Sequence, residues 1–185
     1  MFLFYALSVL CTLFSPFAAA IKTEDNTDLL FLSDCLWQHN YYRRLHSAPE
    51  VSFDVDLIRF ANERAKAMAV GNITDIDDQS HDDLKYGVNS AWNIGSEQVN
   101  CRSIVDLWYR EVKFFNFKKI LMKNRNTNHF TQLVWKSTDK IGCSQIYADS
   151  PIPGVYTVCA YYPKGNIKSE MKKNVLRQKE NNRSS

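Results

Sequence analysis

Cys35 stands four residues before His39, about one helical turn, a spacing that would let an imidazole take the proton of a thiol and leave a nucleophilic thiolate. The rest of the cysteine set argues against that chemistry. Cys11 lies in residues 1–20, an uncharged apolar stretch ending in Ala18, Ala19 and Ala20, which reads as a secretory signal peptide. A membrane span is the competing reading of so apolar a segment, but Pro16 and the polar run after Ile21 favour cleavage. Cys35, Cys101, Cys143 and Cys159 then remain, and an even number in an exported chain predicts two disulfides, in one of three pairings, with no thiolate left over. Asn72-Ile73-Thr74 and Asn182-Arg183-Ser184 are sequons for N-glycosylation, which places Asn72 and Asn182 on the surface of a secreted protein if either is used. The sequence has no HExxH, no GxSxG, no glycine-rich phosphate loop and no CxxC pair, so the common motif-borne hydrolase, nucleotide and redox chemistries have no carrier.

The 185 residues are 45% apolar, 23% charged and 13% aromatic, a profile of one folded domain that excludes wholesale disorder and a polytopic membrane protein. The net charge of +3 is too small to argue for nucleic acid as a partner. It is concentrated at the end: from Lys164 onward there are seven basic and two acidic residues. That tail could add reversible contact with glycosaminoglycan or an anionic surface.

The apolar spacing of Leu36, Trp37, Tyr41 and Leu45 predicts a helix over 34–46, with Ser33 or Asp34 as its cap. Leu57, Phe60, Ala61, Ala65, Met68 and Ala69 predict a second over 54–70, stopped at Gly71-Asn72. Ile104, Leu107, Trp108, Val112 and Phe115 predict a third over 103–115. Residues 72–100 read as irregular connection with at most one short helix, over Asn89 to Trp92. Three runs dense in β-branched and aromatic residues, 129–135, 141–148 and 155–162, predict an antiparallel meander. Helices first and strands after argue for α+β. Residues 21–33 form a lead-in, and 167–185 lack a core-forming stripe, so a solvated tail is expected.

Asn128-His129-Phe130-Thr131-Gln132-Leu133-Val134-Trp135-Lys136-Ser137-Thr138 closely resembles the first signature of the CAP superfamily, the cysteine-rich secretory, antigen 5 and pathogenesis-related proteins. The run from Val155 to Asn166 resembles the second signature, with Ala160 at a usually polar position. His39-Asn40-Tyr41-Tyr42-Arg43 is similar to the HNxxR motif of the first helix, and Trp108-Tyr109-Arg110-Glu111 to the WYxE helix. The resemblance runs from about residue 34 to 166 and implies an α-β-α sandwich with a three- or four-stranded antiparallel sheet between helical layers. It also implies a Cys143–Cys159 disulfide, which leaves Cys35 to Cys101, and a secreted, extracellular protein like the venom allergens.

The family's cleft is lined by two His and two Glu, which in some members hold a divalent metal. The matching positions are His81, Val88, Glu111 and His129. Gly87-Val88-Asn89 stands where the family has Gly-Glu-Asn, and valine neither binds a metal nor moves a proton. What remains is a set for weak zinc binding at most, with no catalytic residue and no required cofactor expected; a metal-dependent hydrolase using the degenerate cleft is the alternative. Tyr109, Phe114 and Phe117, spaced five then three, resemble an aromatic pattern linked with sterol binding in some CAP proteins. The expectation is a non-enzymatic binder of a small lipid, sterol or fatty acid, or of an extracellular protein met through the loops between Asn72 and Asn100, without a stable membrane anchor.

Overall fold

The computed structural model describes residues 21–71, 85–95, 99–118, 127–149 and 152–179. In chain order the elements are β1 (Thr23–Asp25), α1 (Leu29–Leu45), β2 (Ser52–Phe53), α2 (Val55–Ala69), β3 (Gly87–Asn93), α3 (Cys101–Tyr109), a 3-10 turn (Arg110–Phe114), α4 (Asn128–Leu133), β4 (Lys140–Ala148), β5 (Gly154–Tyr162), a 3-10 turn (Lys168–Glu170) and α5 (Met171–Asn174). The sheet runs β1-β4-β5-β3, antiparallel throughout, with the two-residue β2 beside β4 in parallel. Helix α2 covers one face; α1, α3 and α4 cover the other. The expected sandwich is the one found, with five strands rather than three or four because the short β1 and β2 add to β4.

Helix α2 follows its pattern closely. The Asp54 carboxylate accepts from the Leu57 amide at 3.0 Å and caps the helix, and Leu57, Ala61, Ala65, Met68 and Ala69 bury one side against Ile146, Val158 and Ala160. The two layers meet most closely at Gly142 of β4, where a Cβ would collide with the backbone of Leu57 and Ile58. Gly142→Ala is therefore expected to cost about 1–3 kcal/mol, because a helix backbone yields less readily than a side chain. A thermal melt checks this; an unchanged midpoint would mean that α2 lifts off without cost.

Helix α1 begins five residues before the expected Asp34. Its cap is Asp28, which accepts from the Phe31 amide at 2.7 Å. Its buried face holds Phe31, Cys35, Gln38, His39, Asn40 and Arg43, so it is largely polar, and a search for an apolar stripe looks in the wrong direction. Trp37 and Tyr41, expected inward, lie exposed and stacked on each other.

Two expectations invert. Residues 129–135 form not a strand but α4 and its exit turn, since Phe130, Leu133 and Val134 are three and four apart and bury together as a helix. Asn89 to Trp92 form not a helix but the centre of β3, paired residue by residue with β5 from Asn89↔Cys159 to Trp92↔Tyr156. The tail also differs. Asn174 and Val175 are buried, the Ser137 amide donates to Asn174 Oδ1 at 2.9 Å, and the Lys179 amide donates to the Leu45 carbonyl at 3.0 Å. Those anchors are backbone groups and single side chains, which leave no periodic trace. Lys168, Lys172, Lys173 and Lys179 stay exposed.

Both disulfides form as expected, Cys35–Cys101 and Cys143–Cys159. Cys143 and Cys159 are direct partners across β4 and β5, and the sulfurs of Cys35, Cys101 and Cys159 lie within 4.8 Å of one another. No helix among the described residues is long and apolar enough to cross a membrane. Residues 1–20, Asn72 and Asn182 lie outside the described residues.

Candidate functional site

Glu111 enters from the 3-10 turn after α3, and His129 from the first turn of α4. His129 Nδ1 meets Glu111 Oε1 at 2.7 Å, and the Phe130 amide donates to Glu111 Oε2 at 3.0 Å, so both carboxylate oxygens are engaged. The imidazole lies parallel to the buried Trp108 ring, 6.0 Å between centroids. Its backbone carbonyl accepts from Asn89 Nδ2 at 3.1 Å, which ties α4 to β3.

Behind this pair runs a second polar chain that the sequence pattern does not reveal. His39 Nδ1 donates to the Cys35 carbonyl at 2.7 Å, which leaves Nε2 to accept from the Tyr161 hydroxyl at 2.8 Å, and that hydroxyl accepts from Asn89 Nδ2 at 3.1 Å. Burial, helped by the nearby Arg43 charge, pushes the His39 pKa down to about 4 from the usual 6.5, so the ring is neutral. Burial also drives the Tyr161 hydroxyl far above the ordinary tyrosine range. These groups are fixed dipoles holding the sheet to α1.

The cleft set expected from the resemblance is only partly assembled. Glu111 and His129 meet; His81 lies outside the described residues. Val88 packs with Leu57, Ala61 and Ile146 on the α2 side of the sheet, whereas Asn89, one residue on, faces the polar chain beneath His129. Among the described residues, the only group of three or more metal-binding side chains is Cys35, Cys101 and Cys159, whose sulfurs are spent in disulfides. With Nδ1 of His129 on its Oε1, the Glu111 carboxylate orients the imidazole.

The aromatic triplet does not form one patch, because the chain leaves α-helical geometry after Tyr109 and the spacing of five then three no longer maps to one face. Tyr109 stacks on Tyr42 at 3.7 Å, with its hydroxyl 3.0 Å from His46 Nε2; Phe117 packs against Phe115 and Phe130. Phe114 alone of the three opens to solvent, 57% exposed. It lines a groove of about 500 Å³ between β3, the last strand of the sheet, and the end of α3. Ser90, Ala91 and Trp92 form one wall, Leu107, Arg110 and Phe114 the other, with Trp108, Glu111 and His129 completing the lining. Leu107, expected in the core, is 50% exposed here. The signal for the groove was an apolar residue one position beside Trp108 on a helix whose buried stripe was already complete with Ile104, Val105 and Trp108.

Comparison with known proteins follows the same outline. The profile of the CAP, cysteine-rich secretory protein, family matches residues 36–161. The chain is 32% identical over 148 residues to the human Golgi-associated plant pathogenesis-related protein 1, covering 79% of this chain and 92% of that one. It is 31% identical over 158 residues to the secreted protein PRY1 of Candida albicans, covering 85% of this chain but 35% of the relative. Three similar Candida proteins are spanned over only 35% to 48% of their length. Among solved structures, BmVAL-1 superposes with a TM-score of 0.60 at 17% identity, over 83% of this chain and 82% of that one. NaASP2, solved with Zn²⁺, gives 0.55 at 19% identity, over 82% and 87%. At those identities the likeness is one of fold.

Proposed function

The chain belongs to the CAP, or cysteine-rich secretory protein, family, and on that premise we propose that it is an extracellular protein that acts by binding rather than catalysis, taking a small lipid into the groove beside β3. The observation that carries this reading is the groove itself: about 500 Å³, with Leu107 and Phe114 half exposed opposite the Ala91 face of β3. Pockets of this size and character suit small apolar ligands. Large side chains left open to water along one wall of a trough lose that exposure when an apolar chain lies against them. A non-catalytic role is supported by the placing of Val88, which puts an apolar side chain into the α2 layer where the family has a carboxylate. Secretion is supported by the apolar leader, the two disulfides and the relatives named secreted proteins.

The test is equilibrium uptake of labelled cholesterol and labelled palmitate by detergent-free, disulfide-intact protein, beside Phe114→Asp. Saturable uptake of at least one lipid is expected, weakened by about tenfold or more in the variant, since a charge in the trough opposes desolvation. No uptake of either lipid overturns the reading. Contact with an extracellular protein is the second reading, and it draws on the outer face of α1, where Leu29, Leu30, Trp37 and Tyr41 are exposed together.

A further inference from the structure

Leu30, Asp34, Trp37, Tyr41 and Arg44 follow one another along α1 at steps of four, three, four and three residues, the spacing of a coiled-coil seam, on the side opposite the buried Cys35 and His39. Leu30 is 77% exposed and Trp37 49%, so covering them is favourable. Trp37 is already braced: Tyr41 stacks on it at 5.6 Å between centroids, and the Arg102 guanidinium lies 4.6 Å from its ring centre. A partner therefore meets rings that cost little further ordering. Along the same seam the charges divide, with Asp34 paired to Arg102 at 2.7 Å and Arg44 to Glu50 at 2.6 Å. We infer that this seam docks onto the same seam of a second copy of the chain, antiparallel, with Trp37 opposite Tyr41 of the other copy.

The charges select that occupant and that register. With Trp37 against Tyr41, an antiparallel pair brings Asp34 against Arg44 on both sides of the two-fold axis, so the face is complementary to itself. The Arg102–Asp34 pair of one copy then joins the Arg44–Glu50 pair of the other in a row of alternating sign. A parallel pairing would instead set Asp34 against Asp34 and Arg44 against Arg44. Sliding the antiparallel pair until Trp37 meets Trp37 puts the buried Asn40 opposite Asp34 and loses both charge contacts. Two helix faces bury an area at the low end for specific complexes, so a Kd of about 10 μM is expected. This deepens the reading of α1 as a protein-contact face and does not involve the groove, so lipid uptake and self-association stand or fail separately.

Sedimentation equilibrium on the intact, disulfide-bonded protein, from about 1 μM to about 500 μM, tests this. The wild type is expected to pass from monomer to dimer over that range, and Trp37→Glu to stay monomeric. Asp34→Lys and Arg44→Glu each set like charges against one another across the axis, and each alone should weaken the dimer about tenfold or more. Mixed in equal amounts, the two variants restore opposite signs at both contacts and should form a heterodimer close to wild-type strength, which also shows that both are folded. A wild type that stays monomeric at every concentration overturns the inference and leaves the face to a different protein. A dimer that Trp37→Glu does not weaken lies on another surface and overturns it as well. Single variants that weaken the dimer with no recovery in the mixture overturn the register.

Discussion

Replacing Arg43 with Met is expected to lower the unfolding free energy by about 3–5 kcal/mol, the range found when one side of a buried charged network is removed. The guanidinium is fully buried, yet no ion pair among the described residues includes it. Its Nε donates to the Pro49 carbonyl at 2.7 Å, one terminal nitrogen to the carbonyls of Leu133 and Trp135 at 3.1 and 2.9 Å, and the other to the Thr138 carbonyl at 2.6 Å. Leu133 ends α4, so its carbonyl is among those a helix terminus leaves without an internal partner. Burial lowers the Arg43 pKa to about 10, which still leaves it charged at neutral pH. One side chain therefore holds together the end of α4, the loop after α1 and the turn before β4. Methionine fills much of the volume but takes a donor from four carbonyls, of which that of Trp135 keeps the Thr138 amide. Arg43→Lys, with a single ammonium, cannot reach all four and should fall between the two. Urea unfolding at pH 7 measures all three proteins; a Met variant within 1 kcal/mol of wild type, on the order of a single ordinary hydrogen bond, would mean that water replaces the lost donors.

The second large effect is a loss of stability in mild acid. His39 is held neutral down to a pKa of about 4, against 6.5 when unfolded. Between those values the unfolded chain binds a proton that the folded chain refuses, so unfolding becomes easier as pH falls. The contribution is complete above about 6.5, drains through the window and levels off below about 4, for a total on the order of 3 kcal/mol. His46 adds in the same direction, since burial also lowers its pKa despite the hydrogen bond to the Leu176 carbonyl. Denaturant titrations from pH 7 to pH 4.5 should show this slope in the wild type and a much flatter one in His39→Gln. Equal slopes in the two proteins would assign the acid sensitivity to other groups.

Legibility in the sequence followed burial chemistry. Helix α2 was readable because its inner face is apolar and its cap is an aspartate. Helix α1 was half hidden, because its inner face carries Gln38, His39, Asn40 and Arg43 while Trp37 and Tyr41 point outward. The His39-to-Arg43 motif was visible as a resemblance, but its role emerges only in three dimensions: His39 reaches Tyr161, Asn40 exchanges two hydrogen bonds with the Val51 backbone, and Arg43 gathers four carbonyls. Local spacing misassigned α4 and β3 because short apolar runs fit either period, and partners distant in the chain decide between them. In the candidate site, Glu111 and His129 are legible in the sequence, whereas the groove is not. Its walls come from a sheet edge and a helix end, and its apolar residues fit a core-facing spacing equally well.

The sheet ends on two very different strands. At one edge β1 is three residues long, two of them acidic, so like charges and shortness both oppose pairing with another copy. At the other, β3 runs seven residues without a single charge. Self-association by sheet extension therefore has a preferred route through β3, the strand that also forms a wall of the groove.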